Sequence, residues 1–162
     1  ISISNLLFLP HFAGAGTPYM DTGSKGVIAG LDISTSRGSI IKSMLEGINF
    51  EMLINTDRFE EAGIRVDELR VVGGLAKSER FLQLKADIMG KKVVSLNISE
   101  AGTLGVAILA GTACGIYSSI EDAVAKLVKP RKEFYPDDRI HSIYMEKYEK
   151  YKKMYDAVRV LF

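Results

Sequence analysis

Apolar and polar positions change period repeatedly along the chain, and the changes predict strands alternating with helices. Leu6-Leu7-Phe8-Leu9 is a short apolar run stopped by Pro10 and reads as a buried strand. A loop dense in breakers follows, with Gly14, Gly16, Pro18, Gly23 and Gly26. Residues 26–31 read as a second strand. Ser34-Thr35-Ser36 then offers an N-cap for a long helix running to about Ala62 and ending at Gly63. Ile40, Met44, Ile48 and Met52 recur at i, i+4, with Ile41 and Leu45 beside them, so this stripe is expected to face the core. Residues 69–72 predict a strand. Phe81, Leu84, Ile88 and Met89 mark a helix that Gly90 stops, and residues 92–96 give another strand.

After Glu100 the pattern is a helix of small residues, through Gly102, Gly105, Ala107, Ala110 and Gly111. Isolated glycines weaken helices, so this run is expected to pack very closely on a sheet. A short helix is expected near residues 120–127. Lys129-Pro130-Arg131 and Phe134-Tyr135-Pro136-Asp137 read as breaks. The last helix carries Tyr144, Tyr148, Tyr151 and Tyr155, a packing stripe with phenol tips expected at its rim. Its Lys and Glu residues read as a solvated face. Such alternation predicts an α/β fold with parallel strands in the middle.

Composition narrows the class. At 162 residues, 47% hydrophobic and 25% charged, the chain fits one globular domain with a sizeable core. A formal net charge of +1 gives no bulk argument for nucleic acid. The one cysteine, Cys114, cannot form an internal disulfide, which points to a reducing, cytoplasmic setting and a buried packing role. No apolar run reaches the length of a membrane span. The start lacks a secretory pattern and an initiating Met, so a chain cut from something longer is expected.

Candidate chemistry centres on Leu69-Arg70-Val71-Val72-Gly73-Gly74-Leu75-Ala76-Lys77-Ser78, which reads as strand, glycine turn and helix start. Gly73 and Gly74 lack a Cβ, so a flat or charged ligand can approach the backbone. The free N–H groups and dipole of the helix start favour phosphate or a polar ring edge. The same turn also serves as a plain tight connection in α/β proteins. It is neither a G-x-G-x-x-G fingerprint nor a P-loop. Asp87, Glu46 and Glu100 read as structural carboxylates, and Asp21 as a turn-former. His11 and His141 have no Cys or carboxylate spacing that suggests a metal site.

Several segments together resemble the C-terminal domain of the FGGY family of carbohydrate kinases. Leu9-Pro10-His11-Phe12-Ala13-Gly14, running on to Thr17-Pro18-Tyr19-Met20-Asp21, is similar to the family's early loop. Gly26, Ile28, Gly30 and Leu31, then Ile40 with Ser43-Met44-Leu45-Glu46-Gly47, resemble its long signature. Val72-Gly73-Gly74-Leu75-Ala76-Lys77-Ser78, with Gln83, Ala86-Asp87 and Gly90, resembles its adenine-side motif. Glu100-Ala101 with Gly105 and Ala107 resembles the next helix, and Phe134 with Pro136 its ending. There are departures. Ser39 stands where the signature has His, Asp, Glu, Asn or Gln, and Ala15-Gly16 replaces a common Glu-Arg.

The resemblance implies a ribonuclease-H-like, actin-like ATPase domain, a mixed sheet flanked by helices and lacking its first hairpin. It implies that residues 1–162 are the C-terminal nucleotide-binding domain of a two-domain sugar kinase whose N-terminal domain is absent. ATP and Mg²⁺ are the implied cofactors, with Mg²⁺ held mainly by the absent part. A sugar or polyol is the implied acceptor, and neither nucleic acid nor membrane is an expected partner. Gly73 and Gly74 are the implied backbone platform, Ser78 the residue meeting adenine, and Lys77 a residue within reach of phosphate. No catalytic residue is assigned, because the family's catalytic Asp lies in the preceding half. The rival readings are a non-catalytic actin-like domain that binds a partner or forms a homodimer, and another actin-like ATPase lobe. The second rival lacks the Thr-Pro-x-x-Asp loop and the Phe-x-Pro ending.

Overall fold

The computed structural model describes residues 3–98 and 100–162. In chain order the elements are β1 (Leu7–Leu9), β2 (Val27–Ala29), α1 (Arg37–Glu61), β3 (Glu68–Val71), a 3₁₀ turn (Gly74–Lys77), α2 (Glu79–Met89), β4 (Lys92–Leu96), α3 (Ala101–Ala113), α4 (Ile120–Leu127), β5 (Pro130–Phe134), α5 (Asp138–Tyr151), α6 (Met154–Val158) and a closing 3₁₀ turn (Arg159–Leu161). They group into two compact units. The first holds the described residues through Val66, with Asp87–Gly90 and Pro136–Phe162; the second holds Asp67–Ala86 and Lys91–Tyr135.

In the first unit β1 and β2 form an antiparallel pair, Leu7 opposite Ala29 and Leu9 opposite Val27. Helix α1 begins where expected. Ser36 is its N-cap, and its Oγ accepts from the Ser39 N–H at 3.0 Å. It ends at Ala62, and Gly63 leaves it at a φ of +79°. The expected inner face is corrected. Ile41, Ile48 and Met52 are exposed, while Ser43, Glu46, Gly47, Asn49, Phe50, Leu53 and Ile54 are buried. Two features outside an apolar count turn the helix this way. Gly47 lets α1 approach β1 so closely that a Cβ there would collide with the Phe8 carbonyl oxygen. Glu46 finds its partners on the buried side.

Those partners come from near the N-terminus and from α5. Glu46 Oε1 accepts from the Tyr144 hydroxyl at 3.1 Å and the Ser4 N–H at 3.4 Å, and Oε2 accepts from Lys147 Nζ at 2.5 Å. Lys147 Nζ also donates to the Ser4 carbonyl at 2.6 Å. Lys147 is therefore a buried partner, not part of a solvated face. The tyrosine stripe packs as expected, but its tips are not a wet rim. Tyr148 donates to Asp57 at 2.6 Å, Tyr151 to Glu51 at 2.7 Å and Tyr155 to Asp21 at 2.9 Å. Phe50 fills the space among Tyr144, Tyr148 and Tyr151, with ring centroids 5.0–6.2 Å away.

In the second unit β3 and β4 run parallel, Glu68 opposite Lys92 and Val71 opposite Ser95, and β5 lies antiparallel on β4. The order β3-β4-β5 is a mixed sheet, as expected. Pro130 does not break the chain but opens β5, where a missing N–H is tolerated. The expectation for α3 is also corrected. A Cβ added at Gly102 or Gly105 would meet nothing within 4 Å, and only Ile108 and Gly111 of this helix are buried. Close packing is confined to Gly111, where a Cβ would lie 2.7 Å from the Tyr117 ring, and Cys114, expected to be buried, is exposed at the C-cap of this loosely packed helix.

Two outcomes follow from the first unit. Gly47→Ala should destabilise by ~1–3 kcal/mol through overpacking against β1, despite alanine's better helix propensity. Gly38→Ala, whose Cβ would sit 3.7 Å from Ser36 Oγ, is the matched control and should be neutral or stabilising in the same denaturant titrations. Burial first, and then Glu46, Asp57 and Glu51 respectively, push the Tyr144, Tyr148 and Tyr151 phenols far above their ordinary range. Each raised folded-state value stabilises the fold fully below the unfolded phenol pKa of about 10, and that contribution is lost as pH climbs above it. Phenolate absorbance from these three residues should thus rise together with loss of far-ultraviolet dichroism. Ionisation near the ordinary value with the dichroism intact would refute the assignment.

Candidate functional site

The stretch from Val72 to Ser78 leaves β3 and enters α2. Gly73 sits at φ +90° and ψ −168°, a backbone region that only glycine occupies without strain. It caps the 3₁₀ turn, with the Ala76 N–H donating to the Gly73 carbonyl at 3.1 Å. A Cβ added at Gly73 or at Gly74 would meet nothing within 4 Å. The bend is thus tight along the chain but open above its backbone. Ser78 ends the turn and starts α2. Its Oγ accepts from the Phe81 N–H at 3.3 Å, and its carbonyl accepts from the Leu82 N–H at 3.0 Å. The capping bond uses an oxygen lone pair and leaves the hydroxyl proton to donate elsewhere.

Gly73 and Lys77 line a cleft of ≈ 150 Å³ with Ala76, Leu96, Asn97, Ile98 and Arg131. Gly74 and Ser78 are not among its walls. The cleft lies at the carboxyl ends of the parallel strands β3 and β4, where open α/β sheets present their loops to ligands. Asn97 and Ile98 also line a larger groove of ≈ 410 Å³ with Glu100, Thr103, Leu104, Ala107 and Leu127. Glu100 holds the N-cap position of α3 without a side-chain capping bond.

Sequence reasoning missed Arg131 and Asn97. Arg131 reaches the cleft because β5 slips register against β4: Ser95 faces Lys132, Leu96 faces Pro130, and Arg131 is the extra residue. The proline beside it was the one available signal. Lys77 and Arg131 have no ion-pair partner within 4 Å among the described residues. One carboxylate stands near: Glu79, held below the usual range first by its bond to Lys132 at 2.7 Å and further by the charge of Arg131. With Glu79 tied to Lys132, the Lys77 and Arg131 side chains give the cleft two positive charges.

The remaining candidate residues fall elsewhere. Asp87 Oδ1 accepts from the Asp137 N–H at 3.0 Å, and its carbonyl is 2.9 Å from His141 Nδ1, so its bonds are structural as expected. Asp21 accepts from the Gly23 N–H at 2.9 Å as a turn-former, and also from Tyr155. His11 is buried against Ser24 and Glu51. Among the described residues no three His, Cys, Asp or Glu side chains converge as a metal site. No helix there is long and apolar enough to cross a membrane.

Comparison with known proteins gives this bend a family context. The sequence model of the FGGY family of carbohydrate kinases, C-terminal domain, matches residues 3–114. A xylulose kinase of Bacillus subtilis is 30% identical over 161 residues, covering 99% of this chain and 32% of its own length. A glycerol kinase of Saccharolobus islandicus is 36% identical over 130 residues, 80% of this chain and 26% of that protein. In structure, a ligand-bound xylulose kinase from Lactobacillus acidophilus superposes with a TM-score of 0.85 at 23% identity, over 96% of this chain and 31% of that one. Plasmodium falciparum glycerol kinase with ADP superposes with a TM-score of 0.77 at 27% identity, over 94% and 31%. The chain spans about a quarter to a third of the length of these relatives. Its fold is that of the actin-like ATPases, and the chain belongs to the FGGY family of carbohydrate kinases, within the family's C-terminal domain.

Proposed function

We propose that residues 1–162 form the nucleotide-holding lobe of an ATP-dependent carbohydrate kinase, which transfers the γ-phosphoryl group to a sugar or polyol hydroxyl. The observation that carries this is the bend at Gly73. A glycine-only conformation is kept there, beneath open space, at the carboxyl ends of two parallel strands and beside two cations without an ion-pair partner among the described residues. A plain tight connection needs the conformation but not the open space or the charges. The solved glycerol kinase relative carries ADP.

In this reading the Gly73–Gly74 backbone supports the nucleotide, and the Ser78 hydroxyl donates its remaining proton to it. Lys77 and Arg131 supply positive charge for the phosphates. Phosphoryl transfer asks mainly for positioning and charge stabilisation, and these residues provide both without covalent chemistry. The residues described give Mg²⁺ no cluster of carboxylates, so no step is assigned to it on this chain. The proton acceptor for the sugar hydroxyl is assigned to the remainder of the kinase, in keeping with the quarter to a third of its relatives' length that this chain spans. The sugar or polyol is set there too. The single, unpaired cysteine suits a cytoplasmic enzyme.

Titration with an ATP analogue, followed through backbone amide shifts, should move Gly73, Gly74, Lys77 and Ser78 first. Shifts centred on the tyrosine-rich helix α5 would overturn the reading. Gly74→Val should lower nucleotide affinity at least about ten-fold while leaving stability within ~0.5 kcal/mol, since its side chain enters open space. Gly73→Ala should instead cost ~1–3 kcal/mol in stability through backbone strain. Supplied with ATP and xylulose or glycerol, the chain alone should show no phosphoryl transfer. Sustained turnover would mean that one of its carboxylates acts as the base.

A further inference from the structure

The two cations of the cleft stand beside a carboxylate that could neutralise one of them. Glu79 is the first residue of α2, directly after Ser78. A negative charge suits that end of a helix. Its carboxyl is held below the usual range by Lys132 first, and Arg131 is near enough to add to the effect. Arg131 lines the cleft and has no ion-pair partner within 4 Å among the described residues. Left without Lys132, Glu79 would turn to Arg131, because an arginine fork can meet a carboxylate through two parallel bonds. Lys132 prevents this: its Nζ donates to Glu79 Oε2 at 2.7 Å.

Lys132 is itself well placed to hold that carboxylate. Its carbonyl accepts from Ser95 Oγ at 3.1 Å, and its ammonium lies 5.5 Å from the centre of the Phe134 ring. A second tie runs parallel to the first. Gln83 Nε2 donates to the Tyr135 carbonyl at 2.8 Å. Glu79 and Gln83 are four residues apart and share one face of α2. Both therefore fasten α2 to β5 and the residue after it. Gln83 stands in the sequence motif around the bend, yet it is not among the cleft's walls. Side chains of a regular strand alternate between faces. The slip at Arg131 breaks that alternation and re-aims its side chain into the cleft, while the next residue keeps hold of Glu79.

The Glu79 and Lys132 side chains are both exposed, and an exposed ion pair adds little to stability. Holding the fold together does not account for it. Its electrostatic consequence does, since it occupies the carboxylate nearest Arg131. We propose that Lys132 is a positioning residue for the cleft: by holding Glu79 it keeps the Arg131 guanidinium free for an anionic ligand, without touching that ligand itself. The inference rests on the nucleotide reading for the identity of the anion. The exchange of partners between Lys132 and Arg131 is observable without any nucleotide.

Lys132→Met removes the charge and keeps an apolar stem beside Phe134. In the isotope-labelled 162-residue chain this variant should shift the Arg131 Nε–H resonance as Glu79 changes partner, and adding Glu79→Gln should reverse the shift. Lys132→Met should weaken ADP binding about five-fold, the size of one exposed charge contact, and leave adenosine binding unchanged. Glu79→Gln in the same chain should restore the affinity for ADP. In an Arg131→Met background Lys132→Met should cost nothing further, which separates a local exchange of partners from a general loss of positive charge. A loss that Glu79→Gln does not rescue, or that persists in the Arg131→Met background, would overturn the proposal. So would an Arg131 resonance indifferent to Lys132→Met. A wild-type chain that binds no ADP would overturn the nucleotide reading instead, and the Arg131 resonance would still decide whether Lys132 keeps Glu79 from it.

Discussion

A carboxylate on the inner face of α1 governs the first unit. Glu46 is 1% exposed, and an isolated charge in such a place would be very costly. It is tolerated because Lys147 neutralises it and the Ser4 amide and Tyr144 hydroxyl complete its oxygens. Burial pulls the Lys147 ammonium below its ordinary range, and Glu46 pulls it back. Such a pair adds little net stability over an apolar replacement, but removing one partner costs about 3–5 kcal/mol. Its effect is on arrangement. Ser4, Glu46 and Lys147 lie far apart in sequence, and only one rotation of α1 and one register of α5 bring them together. Three more phenol–carboxylate bonds repeat that requirement along the stripe.

The same cluster explains why the inner face of α1 was illegible. A hydrophobic count selects Ile40, Met44, Ile48 and Met52, since it scores Glu46, Asn49 and Thr56 as surface residues and Gly47 as neutral. The helix is instead oriented by a missing Cβ at Gly47 and by polar groups whose partners are some hundred residues away. Neither the close approach nor the distant partners can be read from a local period. The ends of α1 could be read, because capping is local: Ser36 and Gly63 act on their immediate neighbours. The glycines of α3 misled for a related reason. Lack of a Cβ permits close packing but does not compel it, and Gly102 and Gly105 face open space.

In the second unit the legible part was again the local part. Strand, glycine bend and capped helix follow from residues 69–83 alone, and the alternation of elements predicted an α/β fold with parallel strands, which β3 and β4 are; the antiparallel β5 that makes the sheet mixed was expected only from the family resemblance. The cleft's second cation was hidden. Arg131 enters only through a slip of one residue between β5 and β4, and a slip belongs to the pairing of two strands, not to either sequence. Pro130 contributes by removing an N–H at the point where the ladder slips.

The two adjacent glycines of the bend answer different physical demands. Gly73 is required by its backbone angles, whatever occupies the space above it. Gly74 has no positive φ, and no atom of the described residues would lie within 4 Å of a Cβ there, so the described structure gives no reason for its being glycine. Gly102 and Gly105 are free in the same way, so the open space at Gly74 carries weight only through its place beside Gly73 in the bend. Ser78 has a similar double character: one lone pair is committed to the α2 cap, while its proton has no partner among the described residues. Gly73 shares its cleft with the cations of Lys77 and Arg131, while Gly74 and Ser78 lie outside the cleft's walls, so the proposed nucleotide reading draws on both the cleft and the open backbone next to it. A simple corner between strand and helix would need only Gly73.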